Sequence, residues 1–179
     1  MKRRLFIGLI IMTAVITGLL AGCSSAEENA NNEGNKVFDQ KVSADERKRM
    51  DLYLAVMEGA FREENGGNGF IAVKLDTLAG LGDEAKSEVL NKLKSLSENV
   101  YGFDKDKIDN SHFEVDADGR LIRTLDGSLL WVEIKEYDED KAKITGVSWF
   151  GNTGAVFPSY EAVFTGGKWQ LNLISMAIS

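Results

Sequence analysis

Residues 128–178 read SLLWVEIKEYDEDKAKITGVSWFGNTGAVFPSYEAVFTGGKWQLNLISMAI, and this stretch decides the fold. It contains four segments in which apolar and polar residues alternate, and this two-residue period is typical of half-buried β-strands. Three short turns separate the segments, DED at 138–140, GNTG at 151–154 and TGG at 165–167. Because strands joined by such short turns pair in the antiparallel sense, the stretch predicts a four-stranded meander. Gly146 and Pro158 interrupt two strands and predict a bulge, a bend or an edge position.

A further hairpin is predicted just before the meander. HFEV at 112–115 and RLIRTL at 120–125 flank the turn DADG at 116–119. An Asp-Gly pair between two β-type segments is a strong hairpin signal. FIAVKL at 70–75 is also rich in apolar residues, but its periodicity does not decide between a strand and a buried turn of helix.

Two amphipathic helices are predicted ahead of the sheet. Ser43 and Glu46 have the S-x-x-E spacing of a capping box, in which each side chain accepts a hydrogen bond from the other residue's backbone amide. The residues that follow place an apolar stripe at helical spacing: Met50, Tyr53, Leu54, Met57, Ala60 and Phe61. The second helix is expected to be capped by Asp83, and its apolar stripe is Ala85, Val89, Leu93 and Leu96. We therefore predict an α+β fold in which two N-terminal helices pack on one face of a curved antiparallel sheet of about four to six strands.

The last hairpin carries a family resemblance. YEAVFTGGKWQLNLI at 160–174 has a strand, a Gly-rich turn and then a Lys-Trp start followed by alternating aliphatic residues. This ending is similar to the last hairpin of nuclear transport factor 2-like, cone-shaped domains, and cystatin-like sheets look much the same. The resemblance implies a sheet that curls around the helices and leaves a cavity at its wide mouth.

The first 23 residues carry a secretion pattern. MKRR at 1–4 is basic, and LFIGLIIMTAVITGLL at 5–20 contains no charged residue, which is the order of a signal peptide. Leu20, Ala21, Gly22 and Cys23 follow, and they resemble the lipobox of bacterial lipoproteins. The resemblance implies diacylglycerol on the Cys23 sulfur, cleavage between Gly22 and Cys23 by signal peptidase II, and a stable anchor made by two acyl chains such as palmitate.

Two other interpretations of this segment stay open. Residues 5–22 form an uncharged run of 18 residues, which is close to the span of about 20 that crosses a membrane as a helix. An uncleaved anchor is therefore one alternative, and a secreted protein with a free thiol is the other. Neither alternative requires a cysteine at this position. Both membrane interpretations place the folded part at the cell membrane on the extracytoplasmic side, and the single cysteine excludes a disulfide within the chain.

The chain is predicted to contain a signal peptide at 1–22, a lipidated tether at 23–42 and a single domain at 43–179. The tether is rich in Ser, Asn, Glu and Gly, which cannot bury enough surface to offset its ordering entropy; docking of residues 37–42 as an edge strand is the alternative. Residues 1–22 hold three of the 21 basic residues and none of the 28 acidic ones, so cleavage leaves 18 against 28, a net charge of −10. Such acidity argues against nucleic acid as a partner.

No set of residues predicts a reaction. His112 is the one histidine, and no G-x-S-x-G motif supplies a nucleophile for it to activate. With one histidine and no free thiolate, a zinc ligand set is not expected. DKDKID at 104–109 lacks the glycine and the distal glutamate of a calcium loop, and DADG also falls short. We therefore expect no metal and no cofactor.

Aromatic residues concentrate in the meander. By strand alternation Trp131 shares a face with Glu133 and Trp149 shares a face with Lys143, so one tryptophan is expected to be exposed or to line a pocket. Core packing is the commoner role of such residues. The alternative is a ligand or partner surface, for which Trp131, Trp149 and Tyr160 are the candidates.

Two functions follow from these observations. The first is a membrane-anchored extracytoplasmic module that binds an envelope protein or a small apolar ligand without catalysis. The second is an enzyme or apolar-ligand binder of the cone-shaped class, with a carboxylate such as Asp76, Glu133 or Glu161 inside an aromatic-lined cavity. A filled interior between sheet and helices would argue against the second function and against the ligand-cavity form of the first.

Overall fold

The computed structural model of the chain describes residues 42–179. The predicted signal peptide, the lipobox with Cys23 and the tether up to residue 41 lie outside the described residues. In chain order the elements are helix α1 (Ala44–Glu63), strand β1 (Phe70–Val73), a 3₁₀ helix (Leu75–Thr77), helix α2 (Asp83–Leu93), and strands β2 (Val100–Gly102), β3 (Phe113–Val115), β4 (Leu121–Thr124), β5 (Gly127–Asp138), β6 (Lys141–Gly151), β7 (Gly154–Thr165) and β8 (Lys168–Ile178).

Eight strands form one mixed sheet within residues 42–179. Strands β5 to β8 are the predicted meander, and each pairs antiparallel with the next. The predicted hairpin is β3 and β4, which joins the sheet where Arg123 lies opposite Gly151 of β6. Strand β1 pairs in the parallel sense with both β2 and β5. The α+β class is confirmed, whereas the expectation of a purely antiparallel sheet of four to six strands is wrong.

The parallel strands explain this error. Strand β1 has four residues, all of them buried, and β2 has three, so neither is long enough to show a period in the sequence. A parallel pair needs a crossover of a dozen or more residues. Helix α2 and its flanking loops supply that crossover between β1 and β2. FIAVKL is therefore a strand that continues into a 3₁₀ helix.

The capping box at the start of α1 is confirmed. The Glu46 amide donates to Oγ of Ser43 at 3.2 Å, and the Ser43 amide donates to Oε2 of Glu46 at 2.9 Å. The other oxygen of Glu46 accepts a hydrogen bond of 2.9 Å from the Gly82 amide, so one carboxylate joins the starts of both helices. Gly82 is the N-cap of α2, and Asp83 is its first helical residue. The expectation that Asp83 is the cap is wrong because its side chain already lies within the first turn.

The main core lies between the helices and one face of the sheet. All six apolar residues predicted on α1 are buried, and so are Leu52 and Val56. They pack with residues of α2 and of the sheet in a single cluster that includes Val89, Leu130 and Ile144. Val42, the last residue of the predicted tether, is 8% exposed and belongs to the same cluster. Both helices therefore share one face of the sheet.

Helix α1 crosses the sheet diagonally. Near its start, Nε1 of Trp169 on β8 donates to the Lys48 carbonyl at 2.8 Å. At its middle it lies on β6, because a Cβ atom on Gly146 would approach the Val56 carbonyl oxygen to 2.5 Å. Beyond its end, the Gly66 amide donates to Oγ of Ser128 on β5 at 3.1 Å. The glycine in β6 thus marks a close helix approach. Pro158 lies beside a bulge in the β7–β8 pairing, between Ser159 and Tyr160, as predicted.

We expect Gly146→Ala to destabilise the protein, because the added methyl group forces α1 away from β6. Overpacking of this kind lowers the free energy of unfolding by about 1–3 kcal/mol. Gly151→Ala is the matched control in the same strand, since its Cβ atom would meet Arg123 at an ordinary 3.5 Å. Urea unfolding followed by tryptophan fluorescence measures both variants. Equal stability of the two would contradict the close approach.

The capping box makes a prediction about pH. Hydrogen bonds from the Ser43 and Gly82 amides lower the pKa of Glu46 in the folded protein. Because the folded pKa is below the unfolded one, this stabilisation is present above the unfolded pKa and is lost as pH falls through the folded pKa. The difference in unfolding midpoint between wild type and Glu46→Gln should therefore be largest above about pH 5 and shrink towards about pH 3. Glu84→Gln is the control variant. It also removes a negative charge from the first turn of a helix, but it leaves the capping box of Ser43 and Glu46 intact.

Candidate functional site

The sheet face opposite the helices, here called the helix-free face, carries a second apolar cluster. Phe70, Ala72, Phe113 and Leu129 are buried there, and a set of partly buried side chains packs against them: Tyr101, Phe103, Ile108, Leu121, Trp131 and Trp149. This arrangement follows from strand alternation, since Phe70 and Ala72 point away from the face that carries Ile71 and Val73. The segment around β3 therefore covers one end of the helix-free face.

The structure brings two of the three candidate aromatic residues together. Trp131 lies opposite Val147 and Trp149 lies opposite Leu129, so the two indoles occupy neighbouring positions on β5 and β6. Both are half-buried on the helix-free face. Tyr160 is on the other face, because it pairs with Ile144 of the main core and is 8% exposed. Tyr160 therefore does not form a surface with the tryptophans.

Lys74 lies directly over Trp131. The lysine follows β1, and its amide donates to the Leu130 carbonyl at 2.9 Å, which aligns it beside β5. Its Nζ atom is 3.7 Å from the centroid of the Trp131 ring. Nε1 of the same indole donates to Oε1 of Glu133 at 3.2 Å. Backbone pairing thus holds an ammonium group against an aromatic face, a favourable cation–π geometry.

The Lys74 ammonium has no carboxylate partner at ion-pair distance among the described residues. Burial lowers its pKa, and the negative charges of Asp76 and Glu133 partly offset this by raising it. A desolvated ammonium whose nearest partner is an aromatic ring retains hydrogen-bond donors for a further group.

An open groove of about 460 Å³ lies beside this lysine. Its volume falls in the usual range of ligand sites, about 300–1,000 Å³. The DKDKID segment, expected to be a solvated loop, forms one wall, where the Asp106 amide donates to Oδ1 of Asp104 at 2.9 Å. We name it the Lys74 groove, and its lining residues are Lys74, Leu75, Asp76, Phe103, Asp104, Lys105 and Asp106.

The three carboxylates considered for catalysis are exposed. Asp76 is at the Lys74 groove, and Glu133 accepts the hydrogen bond from Trp131. Glu161 lines a second groove near the β5–β6 turn, beside the ion pair between Lys143 and Glu136, whose atoms are 3.1 Å apart. The structure therefore does not bring these carboxylates into one enclosed site.

His112 belongs to an aromatic stack. Its ring centroid is 4.3 Å from that of Phe70, and its Nδ1 is 2.7 Å from the Tyr101 hydroxyl. Burial, and to a smaller extent the charge of Asp109, raises the pKa of Tyr101 to about 12. The phenol therefore keeps its proton at neutral pH and is not a base. Packing between rings accounts for the position of the histidine.

Sequence reasoning missed Lys74 and Phe103. The signal that places Lys74 is the pairing of β1 with β5, which sets the lysine beside Trp131. That pairing joins residues far apart in the chain, and the short β1 segment carried no period from which to infer it.

Two features are absent from residues 42–179. No group of three or more His, Cys, Asp or Glu side chains is arranged to hold a metal ion, and none of the helices there is long and apolar enough to cross a bilayer. Comparison of the chain with protein-family models, curated proteins and solved structures found no match.

The lowered pKa of Lys74 predicts unusual reactivity with amine-acetylating esters. Only the neutral amine reacts, so the rate at Lys74 should rise at a lower pH than for an ordinary lysine, whose pKa is about 10.4. Asp76→Asn removes a charge that raises this pKa, and we expect it to shift the rate profile further towards low pH. Peptide mass spectrometry between about pH 7 and pH 10 measures the profile.

Asp106→Asn is the control for this experiment, because Asp106 lines the same groove but is not among the charges that act on Lys74. A shift towards high pH in Asp76→Asn, or equal shifts in both variants, would contradict the proposed electrostatics.

Proposed function

We propose that the chain is a membrane-anchored extracytoplasmic lipoprotein that acts as a non-catalytic binding module, with the Lys74 groove as its binding site. The observation that carries the proposal is the Lys74 ammonium, which lies 3.7 Å from the centroid of the Trp131 ring, has no carboxylate partner at ion-pair distance among the described residues, and lines an open groove. Desolvating a charge costs free energy unless it is paired. A ligand that supplies the missing anionic group would recover that cost.

The anchor part of the proposal rests on the sequence. Leu20, Ala21, Gly22 and Cys23 fit the lipobox at every position. Acyl chains on Cys23 would hold the protein at the outer side of the cell membrane, and the polar residues that follow would connect the anchor to the folded part. An acidic folded part has little attraction for an anionic leaflet, so the lipid would provide the attachment.

The groove favours a ligand that carries both signs of charge. The Lys74 ammonium suits a carboxylate, and the ring of Phe103 suits a flat or apolar part. Asp76, Asp104 and Asp106 line the same groove and would repel a polyanion while attracting a cationic group. A peptide segment of an envelope partner that contains a carboxylate and a basic group combines these properties.

The enzyme and apolar-ligand alternatives have less support. Large side chains such as Tyr53, Met57 and Leu130 fill the space between helices and sheet and are fully buried. The candidate carboxylates Asp76, Glu133 and Glu161 are exposed. The cone-shaped or cystatin-like architecture stays a prediction that the C-terminal hairpin motivates, and it would accommodate a binding module equally well.

Intact-cell labelling tests both parts of the proposal. The wild type should incorporate a palmitate analogue and remain with the membrane, whereas Cys23→Ala should not incorporate the label. A photo-crosslinking residue at position 105, on the groove wall, should capture an envelope partner in the wild type. In Lys74→Met, which keeps the packing on Trp131 but removes the charge, we expect the crosslink to fall by about tenfold or more.

Lys143→Met is the matched control, because Lys143 is a lysine on the same sheet face that already pairs with Glu136. It should leave the crosslink unchanged. Label incorporation in Cys23→Ala would refute the anchor, and an undiminished crosslink in Lys74→Met would refute the groove as the binding site. The two parts can therefore fail separately.

A further inference from the structure

The Lys74 groove lies at the carboxyl ends of two parallel strands. Its lining residues come from two short segments, residues 74–76 directly after β1 and residues 103–106 directly after β2. Because β1 and β2 run in the same direction, both segments leave the sheet at the same end. Crevices outside the carboxyl ends of parallel strands are common ligand sites. The residues at these two strand ends therefore determine the shape of the groove.

Two of the lining residues are apolar, Leu75 and Phe103, and all the others are charged. Leu75 packs against the main core, and Phe103 packs against the second cluster. The Phe103 amide donates to the Val73 carbonyl at 2.8 Å, and its ring centroid lies 5.6 Å from that of Phe113 in an edge-to-face arrangement. The position of Phe103 is thus fixed from two sides. The size of the apolar part of the groove therefore depends on where Leu75 lies.

Gly102, the last residue of β2, makes room for Leu75. A Cβ atom on Gly102 would lie 2.6 Å from Cδ1 of Leu75 and 3.3 Å from its Cγ. Carbon atoms in favourable contact are about 3.5–4.0 Å apart, so Leu75 occupies the space that a side chain at position 102 would need. A glycine inside a strand often marks a close approach of this kind.

A side chain at position 102 would displace Leu75 towards the groove. On its other side Leu75 packs against the main core, whereas the groove is open. The displaced atoms are at the end of a flexible side chain, so the strand itself need not move. The φ angle of Gly102 is not positive either, so the backbone conformation does not require glycine. The contact with Leu75 is therefore what a larger residue would change.

We propose that Gly102 is a specificity-determining residue of the Lys74 groove, because it lets Leu75 lie over the end of β2 and leaves apolar space for a large apolar side chain of the ligand. This inference rests on the proposed function of the groove and adds a third property to its ligand. The charged lining residues would bind the carboxylate and the basic group of the peptide. Leu75 and Phe103 would contact the apolar side chain, whose burial favours binding.

The test measures the size of the group that the groove admits next to Lys74. The probes are the N-hydroxysuccinimide esters of acetic acid and of 2-naphthoic acid. Each ester transfers its acyl group to the neutral amine and releases N-hydroxysuccinimide. The ratio of naphthoyl to acetyl labelling measures access, because a change in the fraction of neutral amine cancels in the ratio. Peptide mass spectrometry of the full-length mature protein in detergent gives this ratio at Lys74 and at Lys168, an exposed lysine that serves as the internal reference.

We expect Gly102→Ala to lower the ratio at Lys74 by about tenfold, and to leave the ratio at Lys168 unchanged. Adding Leu75→Ala to the same chain should restore the ratio, since the smaller side chain no longer fills the groove. The melting temperature of Gly102→Ala should stay within about 4 °C of the wild type, because only the end of a side chain moves. Gly151→Ala, at the end of another strand, is the matched control and should change neither ratio.

Two outcomes would overturn the inference: an unchanged ratio at Lys74 in Gly102→Ala, or a lowered ratio that Leu75→Ala does not restore. The second outcome would assign the effect to a general disturbance of the strand. The proposed function fails separately, when Lys74→Met leaves the crosslink from position 105 undiminished, because that experiment changes neither Gly102 nor Leu75.

Discussion

The close contact between α1 and β6 at Gly146 organises the whole described structure. The absence of a side chain lets the helix backbone at Val56 approach the strand, and the apolar residues of α1 are then buried over β5, β6 and β7. The position of the helix decides which face of the sheet is filled and which remains accessible.

The parallel strand β1 has an equally strong effect on the other face. Its pairing with β5 sets Phe70 and Ala72 into the second cluster and leads Lys74 over Trp131. A lysine on an exposed hairpin would be fully hydrated, whereas here the backbone holds the ammonium group partly out of water. The position of the Lys74 groove therefore follows from the pairing of β1 with β5. The lowered pKa of its lysine follows from burial of the ammonium group.

These two features suit a binding protein better than an enzyme. The side chains that fill the interior leave no role there for the exposed Asp76, Glu133 and Glu161. The Lys74 ammonium beside the Trp131 ring lies at the surface instead. We propose that such surfaces bind other molecules and that a lipid on Cys23 presents them outside the cell.

The sequence by itself determined the local features: the capping box of Ser43 and Glu46, the apolar stripe of α1, that of α2 up to Leu93 (the predicted Leu96 lies beyond the helix end), the turns of the meander and the α+β class. Each of these depends on residues close together in the chain, so a period or a motif reveals it. Only the tertiary structure decided that β1 and β2 are parallel strands, that Tyr160 is buried away from Trp131 and Trp149, that Lys74 covers Trp131, and that Leu75 lies against Gly102. Alternation divides the residues of a strand between two faces, but which face becomes covered depends on contacts between distant parts of the chain.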